Sequence, residues 1–245
     1  YALTALIVGI LAASLGNKVI PVLGFVMAAL FFIVIISMPY NRSLDSKSAG
    51  NDTGNGNKTS FKQFFKKYKP FFIMLAGFIF LQTTHSALCN FMLQIINSIG
   101  GDSSNLGVAM AIQAIVEVPV LLTKKISVNQ LMGIAAIGYL IKAVLFCMSG
   151  TVTAFYFAQL AQIISFAIFA SASVYYTGEM MEKEDLTTGQ TFMGSVIVCG
   201  NVFGSLLGGV VIALFGVRAL MIACIIISAV GTAVSPYAIR AYKKG

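Results

Sequence analysis

The sequence has 245 residues, of which 58% are hydrophobic and only 10% charged, with a formal net charge of +8. A soluble domain carries roughly a quarter charged residues, so the composition argues against a soluble nuclease, a Rossmann dehydrogenase or a secreted disulfide domain. Apolar runs of about 20 residues match helices crossing hydrocarbon and exceed what barrel strands need, and the expected class is an all-α, polytopic membrane protein.

Eight spans are predicted in chain order, at residues 1–15, 19–38, 70–96, 105–123, 129–148, 152–177, 188–214 and 218–238. The first is short and begins at Tyr1 inside an apolar run, with no signal-peptide n-region before it; this predicts that further sequence precedes it. Pro21 suits the first turn of the second span, where its missing donor costs nothing. Residues 39–69 form the one substantial linker, ending in FKQFFKKYKP. That ending reads either as an amphipathic interfacial helix or as a solvated basic linker. The seventh span carries Gly200, Gly204 and Gly208 at intervals of four, a small-residue ridge for close helix packing. The cysteines Cys89, Cys147, Cys199 and Cys224 all lie in apolar segments without metal-ligand spacing. They read as small buried hydrophobes, and no metal or cofactor is expected.

Charge placement predicts orientation. The linker carries Arg42, Lys47, Lys58, Lys62, Lys66, Lys67 and Lys69. Lys124, Lys125, Lys183, Arg240, Lys243 and Lys244 fall on the same side, whereas Lys18, Asp102 and Arg218 are the charges on the other. Positive charge retained inside predicts a cytoplasmic linker and C-terminus in a multi-pass protein of the cell membrane. Anionic lipid at that face is the expected partner of the basic charge, not nucleic acid. The sequons at Asn41, Asn51 and Asn57 would then remain unmodified. The acidic cluster Glu179, Glu182, Glu184 and Asp185 reads as a solvated loop, with a gating salt bridge to a lysine as the alternative.

Polar groups at membrane depth are costly and default to functional candidates. The third span places Gln82, His85, Asn90, Gln94 and Asn97 along one stripe; the alternative reading of His85 is an interhelical hydrogen bond. Gln113 and Glu117 are four residues apart and share a face. Glu117 is either a cavity carboxylate or a partner of the Lys124–Lys125 cluster. Lys142, near mid-membrane, must face a cavity or join a polar packing network. It differs in depth from Glu117, so a direct ion pair is not assured. Gln159 and Gln162 sit about one turn apart in the sixth span. These residues, Asn97 and Gln94 aside, are expected largely to line one water-filled space.

An internal echo joins the two ends of the chain. GILAASLGNKVI at Gly9 to Ile20 parallels GVVIALFGVRAL at Gly209 to Leu220, with Gly16 over Gly216 and Lys18 over Arg218. Paired hairpins of the same sense are what parallel transporter halves produce. The order of spans and the long basic linker resemble the last eight helices of a twelve-helix major facilitator transporter. YALTALIVGILAASLGNKVIPVLGF, EVPVLLTKKISVNQLMG and TGQTFMGSVIVCGNVFGSLLGGVVIALFG are similar to segments of the lactose permease and of related oligosaccharide or nucleoside proton symporters.

The resemblance implies residues 1–38 as the last two helices of an N-terminal bundle, 39–69 as the central cytoplasmic loop, and 70–245 as the C-terminal six-helix bundle with its tail. It implies that Tyr1 stands where the family has a sugar-stacking Trp; an interfacial aromatic is the alternative. It also implies that Lys142 replaces a coupling Arg. Where the permease has a His and a Glu, this chain has Gln159 and Gln162, so coupling must use Glu117, His85 or residues beyond this sequence, unless transport is uniport or sodium-coupled.

The expected function is secondary active transport of a small polar solute, an oligosaccharide, sugar or nucleoside, by alternating access with protons as the coupling ion, by a protein that works as a monomer. A multidrug or metabolite efflux carrier and a non-transporting scaffold subunit are the alternatives. An enzyme is not expected, because no nucleophile–base pair or metal cluster is present.

Overall fold

Helix ends in this chain are set by a few local signals, and those signals position everything that follows. The structure, a computed structural model, describes residues 61–117 and 126–242, with side chains from 63 to 235, and seven helical positions between 22 and 33. The two spans predicted before residue 39, and with them Tyr1 and Gly9, lie essentially outside the described residues, as does the linker to Ser60.

The linker's basic ending forms a short helix, α1 (Phe61–Lys67), with Lys66 and Lys67 in its last turn, where cations oppose the partial negative charge of the carbonyl end. Pro70 lies in the first turn of α2 (Lys69–Asn90). The helix is interrupted at Phe91 (φ −106°, ψ 20°) and continues as α3 (Met92–Ser98). Gly100, at φ +84°, turns the chain, a conformation that costs glycine least. Asp102 opens α4 (Ser103–Glu117) by accepting from the backbone nitrogens of Ser104 at 2.9 Å and Asn105 at 3.2 Å, a side-chain cap for otherwise orphaned donors.

The remaining helices pack around α2. Helix α5 (Val128–Met148) is followed by α6 (Val152–Gln159), whose N-cap Thr151 accepts from Ala154 N at 3.2 Å. A 3₁₀ turn (Leu160–Gln162) and a π-helical segment (Ile163–Ala167) then lead into α7 (Ile168–Met180). Helix α8 (Leu186–Tyr242) is two helices meeting at Gly216 (φ 80°, ψ 177°), which marks the turn between the last two predicted spans. Four helices among the described residues are long and apolar enough to cross a membrane, and α8 supplies two arms. No strand occurs among the described residues.

In a bilayer, apolar burial gains little from leaving water, so close contact and hydrogen bonds must hold helices together. The glycine ridge of α8 provides that contact against α2. A Cβ on Gly200 would lie 2.5 Å from Gln82 Cγ, one on Gly204 2.7 Å from Thr83 O, and one on Gly208 2.5 Å from a Phe91 ring carbon. Thr84 Oγ1 donates to Cys224 O at 3.2 Å, and Thr232 Oγ1 donates to Ala136 O at 2.9 Å. One apolar cluster, with Phe71, Met74, Phe78, Tyr139 and Phe169, packs toward the α1 end. A second, with Leu88, Met92, Ile95, Phe146 and Phe155, packs toward α3. Between them, Gln82 to Ser86 are all buried on α2, and this polar layer is where the site lies. The outward face of α8, including Val198, Leu206, Val210 and Leu214, is apolar and exposed, as a lipid-facing helix requires.

Candidate functional site

Lys142 is the side chain around which the polar layer is built. It lies on α5 and is 1% exposed. Gly138, one turn earlier on the same helix, lets α5 approach the π-helical segment so closely that a Cβ there would overlap Ile164 O. That approach brings Lys142 to Gln162, the last residue before the π segment. Such segments displace helix register locally and recur at functional sites.

The contacts form a chain. Lys142 Nζ donates to Gln162 Oε1, and Gln162 Nε2 donates to Glu117 Oε1 at 2.8 Å. Gln162 is fully buried, and one amide therefore bridges the ammonium on α5 and the carboxylate on α4. Among the described residues no carboxylate lies within ion-pair distance of Lys142. Lys142 Nζ also lies 3.2 Å from His85 Nδ1. An ammonium has only hydrogens to give, so Nδ1 is the acceptor and the ring proton belongs on Nε2. The Phe146 ring lies 5.2 Å below Nζ, within range of a cation–π attraction.

His85 is held from several sides. Phe166, in the π segment, stacks on it at 4.7 Å and 14°, and Tyr139 meets it edge-on at 5.9 Å. Cys89 Sγ lies 3.7 Å from His85 Nδ1 and donates to Gln113 Oε1 at 3.7 Å. Tyr139 OH donates to Gln82 Oε1 at 2.9 Å. Six of the singled-out residues are thus drawn together: Lys142, His85, Gln162 and Glu117 directly, Gln113 through Cys89, and Gln82 through Tyr139.

Two differ from the expectation of one shared space. Gln159 is fully buried, but its Nε2 points to Met92 Sδ at 3.4 Å and its Oε1 has no hydrogen-bond partner among the described residues. Asn90 is exposed and turns toward α8, donating to Ser86 Oγ at 3.1 Å and Ser205 Oγ at 2.8 Å. The inner residues also satisfy one another rather than water. Gln82, His85, Gln113, Lys142 and Gln162 are each at most 8% exposed, so a packed polar network stands where a water-filled space was expected. Glu117 is half-buried. Tyr1 lies outside the described residues, as do Lys124 and Lys125.

Sequence reasoning missed Tyr139, Cys89 and Phe166. Tyr139 precedes Lys142 by three residues and Cys89 follows His85 by four, spacings that place each pair on one helix face. Nothing local in the sequence marks Phe166, whose position depends on the π segment.

A second charged cluster lies outside the spans. Lys67 Nζ pairs with Glu182 at 2.8 Å and Asp185 at 3.0 Å. Tyr68 OH donates to Asp185 Oδ2 at 2.9 Å, and Glu182 N donates to Tyr68 OH at 3.3 Å. Phe64 and Phe72 both pack on Phe192. The helical ending of the linker is therefore docked on the turn between α7 and α8, and part of the acidic cluster is ion-paired. The Glu182 and Asp185 carboxylates raise the pKa of Lys67, and hydrogen bonding from Lys67 leads in lowering that of Asp185.

Residues 1–223 match the MFS_1 like family. Neither the curated proteins nor the solved structures contain a match to the chain.

Proposed function

The chain belongs to the MFS_1 like family of membrane transporters, within the major facilitator superfamily, and from that premise we propose that it moves a small polar solute by alternating access, coupled to protons through Glu117 and Lys142. The solute is an oligosaccharide, sugar or nucleoside. Residues 1–38 and 70–245 belong to two bundles joined by the cytoplasmic loop 39–69, and the C-terminus is cytoplasmic in the cell membrane. Amides predominate among the polar side chains at membrane depth. An amide can donate to and accept from a hydroxyl at once, which suits a polar solute better than the apolar cargo of a multidrug carrier.

The observation that carries the coupling proposal is the Lys142–Gln162–Glu117 chain. An ionised Glu117 only accepts, which turns the Gln162 NH₂ toward it and leaves the carbonyl for Lys142. A proton on Glu117 leaves one of its oxygens an acceptor, so the Gln162 amide keeps its orientation, but the bond from Gln162 Nε2 loses its charge assistance and weakens. Protonation of Glu117 also removes the negative charge nearest the Lys142–Gln162 contact, which loosens the joint that ties α4 and α5 to the π segment.

The test is uptake into sealed vesicles with and without an imposed proton gradient. Glu117→Gln is expected to insert and fold but to lose the pH dependence of uptake. Gradient-driven uptake at the unaltered level in both Glu117→Gln and Lys142→Met removes the pair from the mechanism.

A further inference from the structure

We propose that His85 is a positioning residue for Lys142: a neutral acceptor that fixes the ammonium at the coupling joint and does not itself take up the coupled proton. This role rests on the coupling reading above and assigns the buried imidazole that the reading leaves unused.

Two acceptors hold the Lys142 ammonium, and they sit on different elements. Gln162 Oε1 belongs to the irregular stretch after α6, and the same amide answers Glu117. His85 Nδ1 belongs to α2. The first contact feels the charge on Glu117, whereas the second is held from elsewhere. On either side of His85 the α2 helix is pressed against the glycine ridge of α8, at Gln82 by Gly200 and at Thr83 and Ala87 by Gly204. The ring is stacked by Phe166 and met edge-on by Tyr139. Tyr139 is in turn tied to Gln82, about one turn before His85 on the same helix. The imidazole therefore has a fixed place from which to hold Lys142 when the Gln162 contact loosens.

A proton on His85 would remove what it offers. Nδ1 lies 3.2 Å from Lys142 Nζ, and a charged ring would set two donors and two positive charges face to face. His85 is 6% exposed and Lys142 1%, so water does not screen them. Nor is there a carboxylate to spare. Of the chain's eight acidic residues, Asp45 and Asp52 lie in the linker, Asp102 opens α4, and four cluster at residues 179–185. Glu117 is the remaining one, and it already answers Lys142 through Gln162. A second buried cation without its own partner is strongly disfavoured. The other neighbours bring no charge: the Cys89 thiol donates to Gln113 on α4, and Tyr139 is a phenol on α5. The first arm of α8, from Leu186 to Val217, holds no Asp, Glu, Lys or Arg, and its second arm to Ser235 holds only Arg218, at the turn.

His85 is the single histidine of the chain, so a nitrogen-15 histidine label reports one ring. The experiment uses the full chain in proteoliposomes, purified without a polyhistidine tag. Protonated and bare ring nitrogens resolve in the nitrogen-15 spectrum, which reads tautomer and charge directly. At neutral pH one tautomer is expected, protonated at Nε2 and bare at Nδ1. An isolated imidazole is half-charged at about pH 6.5 and mostly charged at about pH 5.5, whereas His85 is expected to stay neutral at about pH 5.5. Lys142→Met removes the donor, and is expected to shift the Nδ1 resonance and release the ring into both tautomers. A charged ring at about pH 5.5 in the unaltered protein, a ring protonated at Nδ1, or an identical spectrum in Lys142→Met overturns the proposal. No solute or gradient enters this experiment. Gradient-driven uptake that survives in Glu117→Gln would remove the coupling reading and leave these spectra standing, and a failure of the spectra would leave the uptake test of Glu117 untouched.

Discussion

At the scale of single residues, the account turns on Gln162. The amide is fully buried and both of its ends are committed, one to Lys142 and one to Glu117. Gln162→Leu removes an acceptor from a buried ammonium and a donor from a carboxylate. A stranded buried polar group costs about 1–3 kcal/mol, so a fall in the thermal midpoint in detergent is expected; an unchanged midpoint would show that the bridge is not formed. Lys142→Met keeps the apolar stem and removes the charge, and is expected to insert normally and lose most uptake. The candidate residues were legible because charge and amide are conspicuous at membrane depth. Their pairing was not. Lys142 and Glu117 differ in depth along their helices, and only a third side chain brought in by the irregular stretch after α6 closes the gap. For the same reason Asn90 was grouped with His85, although a break at Phe91 and a contact with Ser205 turn it to another surface.

At the scale of helices, two close approaches carry the packing. Gly138 meets backbone at Ile164, and Gly204 meets backbone at Thr83, so neither neighbour can give way as a flexible side chain would. Gly204→Leu is expected to cost about 1–3 kcal/mol through overpacking, read as a lower thermal midpoint; an unchanged midpoint would mean that α2 and α8 do not meet along this ridge. The glycine spacing was plain in the sequence, whereas the π segment had no sequence signal.

The Lys67–Asp185 tie outside the spans has a definite pH window. Asp185 has a depressed pKa in the fold, so its contribution is present above the ordinary carboxylate range and lost as pH falls through the folded value. Lys67 has a raised pKa, so its contribution is present below the ordinary lysine value and lost as pH rises through the folded one. Amide exchange in α1 is therefore expected to be slow at neutral pH, after correction for intrinsic rates, and to accelerate in strong acid. Asp185→Asn should remove most of that difference. Equal protection of α1 in Asp185→Asn and in the unaltered protein would show that the tie does not hold the helix down.

At the scale of the molecule, span order was read well because about 20 apolar residues between polar turns leave few alternatives. The spans predicted from residue 70 onward recur as helices wherever the chain is described, with Gly216 at the last turn. The repeat of Gly9 over Gly209 lies partly outside the described residues. The proposed orientation rests on charge placement: cysteines placed at Asn51 and Gly245 are expected to resist an impermeant thiol reagent in intact cells, and labelling of both from outside would reverse the proposed topology. The central claim, solute movement tied to a proton at Glu117, is tested most directly in proteoliposomes holding an internal pH dye. Sucrose, glucose and uridine are added in turn, without an imposed gradient, to the full-length protein and to Glu117→Gln. The account predicts internal acidification triggered by at least one of these solutes in the unaltered protein and abolished in Glu117→Gln. Solute uptake with no proton movement, or equal acidification in both proteins, would contradict it.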